Sequence, residues 1–311
     1  MSTAPPPVAP PVLPPTARPL VGIGWMLVTG LFFVAVTATV KMIDGRVPAA
    51  QAAFIRYLFG LVLLIPILPA MMKTQISGTG WRLFGLRGLS HTLGVTLWFF
   101  AMSRITIAEL TALNYLTPIF VTVGAALFLG EKLAARRIAA ICVAMLGALV
   151  ILRPGFREID IGHLSMLTGA LFLGGSYLIA KRLSGMADPA IVVGWLSITV
   201  TIGLAPLALP VWVTPSLGDL GWLMLVAVFA TGGHYTMTLA LRAAPGAVTQ
   251  PVMFFQMVWS VLVGLVLFGE PVDPWVVLGA GIIVGSVSFI AWREYVLKRP
   301  APTPVTTPSK L

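Results

Sequence analysis

The apolar positions of this chain fall in long unbroken runs, with polar residues gathered in short breaks between them. Ten runs lie near 20–42, 49–70, 81–103, 107–130, 134–153, 161–183, 189–213, 219–243, 246–269 and 274–296. Each is long enough for a helix that crosses a bilayer, which needs about 20 residues. The breaks carry turn chemistry, as in Asp44-Gly45, Ser77-Gly78-Thr79-Gly80, Arg153-Pro154-Gly155, Asp188-Pro189 and Pro245-Gly246. No run shows the alternation of a membrane strand. The pattern predicts an all-α membrane protein with ten transmembrane helices.

The runs repeat. Residues 101–131 (AMSRITIAELTALNYLTPIFVTVGAALFLGE) align without a gap on residues 240–270 (ALRAAPGAVTQPVMFFQMVWSVLVGLVLFGE). Ala101 falls on Ala240, and Gly130-Glu131 on Gly269-Glu270. Residues 22–43 align in the same way on 162–183, matching Gly22 with Gly162, Met26 with Met166 and Phe32 with Phe172. A repeat of this length governs the fold. The unit is five helices given twice, over 20–153 and 161–296. Five is odd, so the second copy enters the membrane upside down, which is the inverted-repeat plan of secondary carriers.

Composition agrees. Only 10% of residues are charged, where a soluble chain carries about 25%. Mean hydropathy is +0.97. The net charge of +10 resembles a nucleic-acid signal, but the Lys and Arg sit in short loops, where they set orientation. With the N-terminus cytoplasmic, the inner segments hold 13 of them and the outer segments 5. Both termini are therefore expected inside a bacterial inner membrane. Residues 1–19, with eight prolines, read as a disordered tail, and 297–311 as a cytoplasmic tail. A single cysteine, Cys142, excludes disulfides and cysteine metal sites and reads as a core residue.

Two five-helix halves, each with a fourth helix ending in Leu/Phe-Gly-Glu, resemble the drug/metabolite transporter superfamily, and within it the EamA-type ten-helix permeases. The resemblance covers about residues 20–296. It implies export or exchange of small metabolites through a central cavity, without nucleotide hydrolysis. The Trp- and Tyr-rich central segments further resemble bacterial aromatic-amino-acid exporters. One departure is Met257, which stands where the first half has Pro118, so the helix break at Pro118 is not symmetric.

Candidate binding residues follow from polar and aromatic positions inside the runs. Thr111, Tyr115, Pro118 and Thr122 share one face of the fourth helix, with Asn114 beside the break. Gln256 lies on the matching face of the ninth helix, with Met253, Met257 and Ser260, and Trp259 beside it. Arg87, His91 and Trp98 share a stripe of the third. His234 and Tyr235 are mid-span in the eighth, Tyr177 in the sixth, and Arg56-Tyr57 in the second. The expected substrate-binding set is His91, Trp98, Asn114, Tyr115, Tyr177, His234, Tyr235, Gln256 and Trp259. A cation within a bilayer is costly by about 2.5–3.5 kcal/mol, so Arg87 is expected to snorkel to the cytoplasmic face. Gly281 and Gly285 read as a packing seam. Glu131 and Glu270 read as end-caps.

The chain has no phosphate-binding loop and no His-Glu-x-x-His. No catalytic residue, metal or cofactor is expected, and the partners are a small-molecule substrate and the lipid bilayer, not nucleic acid. The expected function is an inner-membrane transporter, a monomer by default with a dimer as the alternative, that exports or exchanges small amphipathic metabolites by alternating access, amino acids (aromatic first) being the leading class. The alternatives are an uptake permease of the same fold, a channel, and an intramembrane enzyme.

Overall fold

The structure is a computed structural model that describes residues 18–43, 45–62, 64–130, 135–156, 158–183, 186–187, 189–244, 252 and 254–297. The two predicted tails, and Glu131 and Met253 with them, lie outside the described residues, apart from residues 18–19 and 297. Twelve α-helices form among the described residues, and no strand. They are α1 (Pro19–Met42), α2 (Ala49–Val62), α3 (Leu68–Lys73), α4 (Gly78–Met102), α5 (Ile107–Asn114), α6 (Thr117–Leu129), α7 (Ala135–Leu152), α8 (Ile161–Leu183), α9 (Pro189–Ala208), α10 (Leu217–Ala243), α11 (Phe254–Phe268) and α12 (Pro274–Leu297).

Helix ends follow the local chemistry. Ser77 caps α4 through the Gly80 N–H. Thr106 and Glu109 close a reciprocal capping box at α5, as Ser216 and Asp219 do at α10. α6 ends on Gly130 with φ +68°, a left-handed conformation that glycine adopts without steric cost.

Two of the expected continuous runs are broken. The run 49–70 splits into α2, a short 3-10 turn at Ile65–Ile67 and α3, because Pro66 and Pro69 lack the N–H that a continuing helix needs. The run 107–130 splits at Tyr115-Leu116, just before Pro118. There the Tyr115 and Leu116 N–H groups turn back to the carbonyls of Ala112 and Leu113. Among the described residues, seven spans are long and apolar enough to cross a membrane: 20–42, 107–128, 135–152, 161–180, 191–211, 217–237 and 274–293. α2 and α11 are apolar but shorter, and α4, which carries Arg82, Arg87 and His91, is not among the seven.

The helices pack in defined pairs: α1 along α10, α4 along α8, α7 along α12, α2 along α9, and α5 against α11. Two seams depend on missing side chains. A Cβ on Gly147 of α7 would lie 2.8 Å from the Gly279 carbonyl of α12, and one on Gly279 would lie 2.6 Å from the Gly147 carbonyl. These are backbone-to-backbone approaches that small residues allow in lipid. Gly285, half of the predicted seam, has open space where its Cβ would be, so the contact falls one and a half turns nearer the start of α12. On the other seam, a Cβ on Gly169 would lie 3.2 Å from the Gly94 carbonyl. Cys142 faces outward on α7 and is not a core residue.

Side chains also complete the backbone. Gln51 is fully buried; its Nε2 donates to the Val213 carbonyl at 2.6 Å, and its Oε1 accepts from the Val213 N–H at 2.9 Å. The amide thereby replaces the strand or helix partner that the extended segment after α9 lacks. Gly147→Leu should lower stability by about 1–3 kcal/mol through overpacking, read as a drop in melting temperature in detergent. Gly285→Leu should leave the melting temperature unchanged within error.

Candidate functional site

Among the described residues, five charged contacts join residues before position 154 to residues after 159, and all lie at one end of the helix bundle. Lys41 pairs with Glu270, and Arg153 with Asp273. Arg46 reaches Asp219 at 3.0 Å, Arg104 reaches Asp160 at 3.2 Å, and His163 lies 3.4 Å from Glu109. Glu270 also accepts from the Ile107 N–H at 3.0 Å, and Lys41 reaches the Ile105 carbonyl. Glu270 is therefore more than an end-cap: it ties the end of α11 to the end of α1 and the start of α5. Asp160 accepts from the Gly162 N–H at 2.6 Å as well as from Arg104. The Gly162 N–H, and then Arg104, hold its carboxyl below the usual carboxylate range. A lowered native value means that this contribution is present above the unfolded pKa of about 3.9 and is lost as pH falls through the native one.

Below this latched end lies a cavity of about 590 Å³, within the roughly 300–1,000 Å³ usual for small-molecule sites. It runs toward the opposite end, where Arg137 of α7, Thr122 of α6 and Ala291 of α12 line it. Its middle is walled by Phe33 and Thr37 of α1, Arg56 and Tyr57 of α2, His91 of α4, Tyr177 of α8 and His234 of α10. Asn114, Tyr115, Thr117 and Pro118 line it at the break between α5 and α6, and Gln256 from α11. No Asp or Glu is among the described lining residues.

The polar groups of this wall divide by how they are satisfied. His91 is buried, with Nε2 2.9 Å from the Tyr57 hydroxyl and Nδ1 3.1 Å from the Ser176 hydroxyl. Gly174-Gly175-Ser176 lets that happen: a Cβ on Gly174 would sit 2.9 Å from Phe120, and one on Gly175 3.1 Å from Ser90 Oγ. Asn114 Oδ1 accepts from Thr117 at 3.3 Å, Tyr115 reaches the backbone of Met257, and Thr111 bonds Ser260 across α5 and α11 at 2.8 Å. His234 stands edge-on to Phe33, ring centroids 5.3 Å apart. Two buried atoms of lining residues find no protein partner: Gln256 Oε1, an acceptor, and Trp98 Nε1, a donor. Gln256 is 7% exposed.

Seven of the nine expected binding residues, and Pro118, therefore line one cavity. Tyr235 does not. It is 65% exposed on the outside of α10, because adjacent helical residues point about 100° apart and His234 takes the inward direction. Trp259 is half-buried off the cavity wall, while Ser260 beside it faces Thr111. Arg87 does not snorkel. It is buried, and its Nη1 donates to the Val192 carbonyl at 2.9 Å, while its Nε has no partner. Sequence reasoning missed Thr37 and Phe33 and the α12 wall, including Val284 and Val287, whose residue types look like any lipid-facing helix.

The described residues hold no group of three or more His, Cys, Asp or Glu that could bind a metal. Apolar helices around a cavity fit a membrane transporter, and comparison with known families decides the class. Residues 20–153 and again 160–292 match the description "EamA-like transporter family"; the chain belongs to that family, whose members carry small molecules across membranes. It is 32% identical to a protein of Vibrio cholerae serotype O1 described as a riboflavin transporter, over 89% of this chain and 95% of that one. It is 31% identical to a riboflavin transporter of Rhizobium johnstonii (89% and 93%) and 24% identical to an S-adenosylmethionine uptake transporter of Rickettsia bellii (88% and 94%). A solved structure titled "Crystal structure of protein" superposes with a TM-score of 0.56 at 16% identity, over 91% of this chain and 99% of that one, a likeness of fold.

Glu270→Ala should leave Lys41 without its carboxylate and the Ile107 N–H unpaired, and cost about 1–3 kcal/mol, seen as a lower melting temperature. An unchanged melting temperature would show that the latch contributes nothing.

Proposed function

We propose that this chain carries a flavin of the riboflavin type across the bacterial inner membrane by alternating access. The observation that carries the reading is the pair of unpartnered buried atoms in an aromatic cavity. Gln256 Oε1 needs an N–H, and Trp98 Nε1 needs an acceptor. The imide edge of a flavin ring offers both, and the tricyclic ring suits a wall of Phe33, Tyr57, Trp98, Tyr115 and Tyr177. Identity above 30% with two proteins described as riboflavin transporters supports the same choice. The first expectation, an aromatic amino acid, gives way for a physical reason. Its ammonium group would need a counter-charge once removed from bulk water, and the described lining residues supply no carboxylate.

The helix pairing supports two inverted five-helix repeats over 20–153 and 161–296, ten membrane-crossing segments in all. Shifting the expected helices by five turns the α1–α10 contact into the α4–α8 contact and returns the other three pairs to themselves. With the basic loops inside, both termini are cytoplasmic and the five charged contacts close the outer face. The cavity then opens to the cytoplasm, an inward-facing arrangement, and the opposite state requires those contacts to part. One chain contains the whole cavity, so a monomer suffices.

Counterflow in proteoliposomes tests this. Unlabelled riboflavin inside should drive entry of labelled riboflavin above the rate of empty liposomes, and Gln256→Ala should cut that rate by about tenfold, the weight of one or two buried hydrogen bonds. Tyr235→Ala, off the wall, should transport like the wild type. Riboflavin flux that ignores internal riboflavin would favour a channel, and no flux would remove flavins from the reading.

A further inference from the structure

We infer that Arg56 makes this cavity select aromatic solutes by charge, accepting neutral and anionic ones, phosphate esters included, and rejecting cations. Where the solute is a flavin the inference deepens the reading above, but it rests on charges that would act on any aromatic solute.

The cations of this protein fall into distinct environments. Lys41, Arg46, Arg104 and Arg153 each meet a carboxylate at the latched end. Arg87 is buried against the Val192 carbonyl, off the cavity. Arg56 is different. It lies in α2, seven residues from the helix start at Ala49, and lines the cavity. Among the described residues it forms no ion pair; its guanidinium carbon stacks 4.1 Å from the centroid of the neighbouring Tyr57 ring. Stacking leaves the N–H edge of the guanidinium available, and that edge matches the two oxygens of a phosphate or carboxylate.

A guanidinium kept at membrane depth without a carboxylate is costly to insert. An arginine used for packing would be expected to acquire a partner, as Arg87 has. The other ionisable side chains on the described wall are Arg137, His91, His234, Tyr57, Tyr115 and Tyr177, and none of them supplies a negative counter-charge at neutral pH. A positive solute therefore meets Arg56 at low dielectric, where repulsion is weakly screened. An anionic group is drawn to the same place. Selection here works by the repulsive element as much as the attractive one. By this criterion a sulfonium cation such as S-adenosylmethionine, named for relatives at 24% identity, is excluded from this chain.

The test uses the purified full-length chain in detergent and thermal-shift titration at pH 7.5 with three matched solutes: indole-3-acetate (anion), tryptophol (neutral) and tryptamine (cation). The wild type should bind them in that order, with at least tenfold between the half-saturating concentrations of the anion and the cation. Arg56→Gln should bring the three within about threefold, Arg56→Lys should keep the order, and Arg56→Glu should reverse it. A wild type without charge order, or one that binds none of the three, overturns the inference, as does an Arg56→Gln protein that keeps the full order. The wild-type order is readable whether or not every variant folds. A wild type that shows the order but fails to exchange riboflavin would sink the flavin reading and leave the charge selection standing.

Discussion

Lipid provides no hydrogen-bond partner, so every polar group in the span must be satisfied from within the protein or face a protein-lined cavity. That constraint orders this structure. The hydroxyls of Thr29, Thr39, Thr96 and Thr201 fold back on carbonyls one turn earlier. Gln51 supplies both halves of a backbone pair to Val213. Arg87 ends on a carbonyl, and His91 is held at both ring nitrogens. Helices come close enough for such bonds because Gly94, Gly147, Gly169 and Gly279 remove the side chains between them.

The same constraint explains why the charges are unevenly placed. Carboxylates among the described ion pairs gather at one end, where each meets a cation from the other half of the chain. At the other end the described cavity wall carries Arg137 and no acid. Partly exposed pairs of this kind are individually weak. Their value lies in number and position. Under the alternating access proposed above, such contacts part together, and a solute that favours one arrangement need supply only a few kcal/mol to shift it.

Most of the architecture is legible in the residue pattern, because lipid imposes length and hydrophobicity directly. The runs at 20–42, 134–153, 161–183 and 274–296 correspond to helices within a residue or two. The run at 49–70 fails where Pro66 and Pro69 interrupt it, and the run at 107–130 fails one turn earlier than Pro118 itself, since a proline disturbs the turn before it. The wall of the cavity is legible only where chemistry is out of place in lipid. His91, Asn114, His234 and Gln256 stand out for that reason and do line it. Tyr235 stands out equally and faces away, because two adjacent helical positions cannot both point inward. Phe33, Val284 and Val287 carry no mark at all: an apolar residue facing an apolar solute looks the same as one facing a lipid tail. The partner of Arg87 is equally invisible, since a carbonyl one hundred positions away in sequence leaves no trace in residue identity.

Within the cavity wall, hydrogen-bond satisfaction distinguishes polar residues that residue type does not. His91 and Gln256 are both buried polar residues of the same wall, yet His91 is bonded to two hydroxyls while the Gln256 oxygen has no partner. A buried acceptor left without a donor costs about 1–3 kcal/mol, and an unpaired intramembrane guanidinium costs more. Such costs are offset when a solute fills them, and the offset is then available only while the solute is bound. A group whose bonding is complete without solute, such as the ring of His91, holds the wall in shape. A group of the wall whose bonding is incomplete, such as Gln256, Trp98 or Arg56, leaves a bond for a solute to complete.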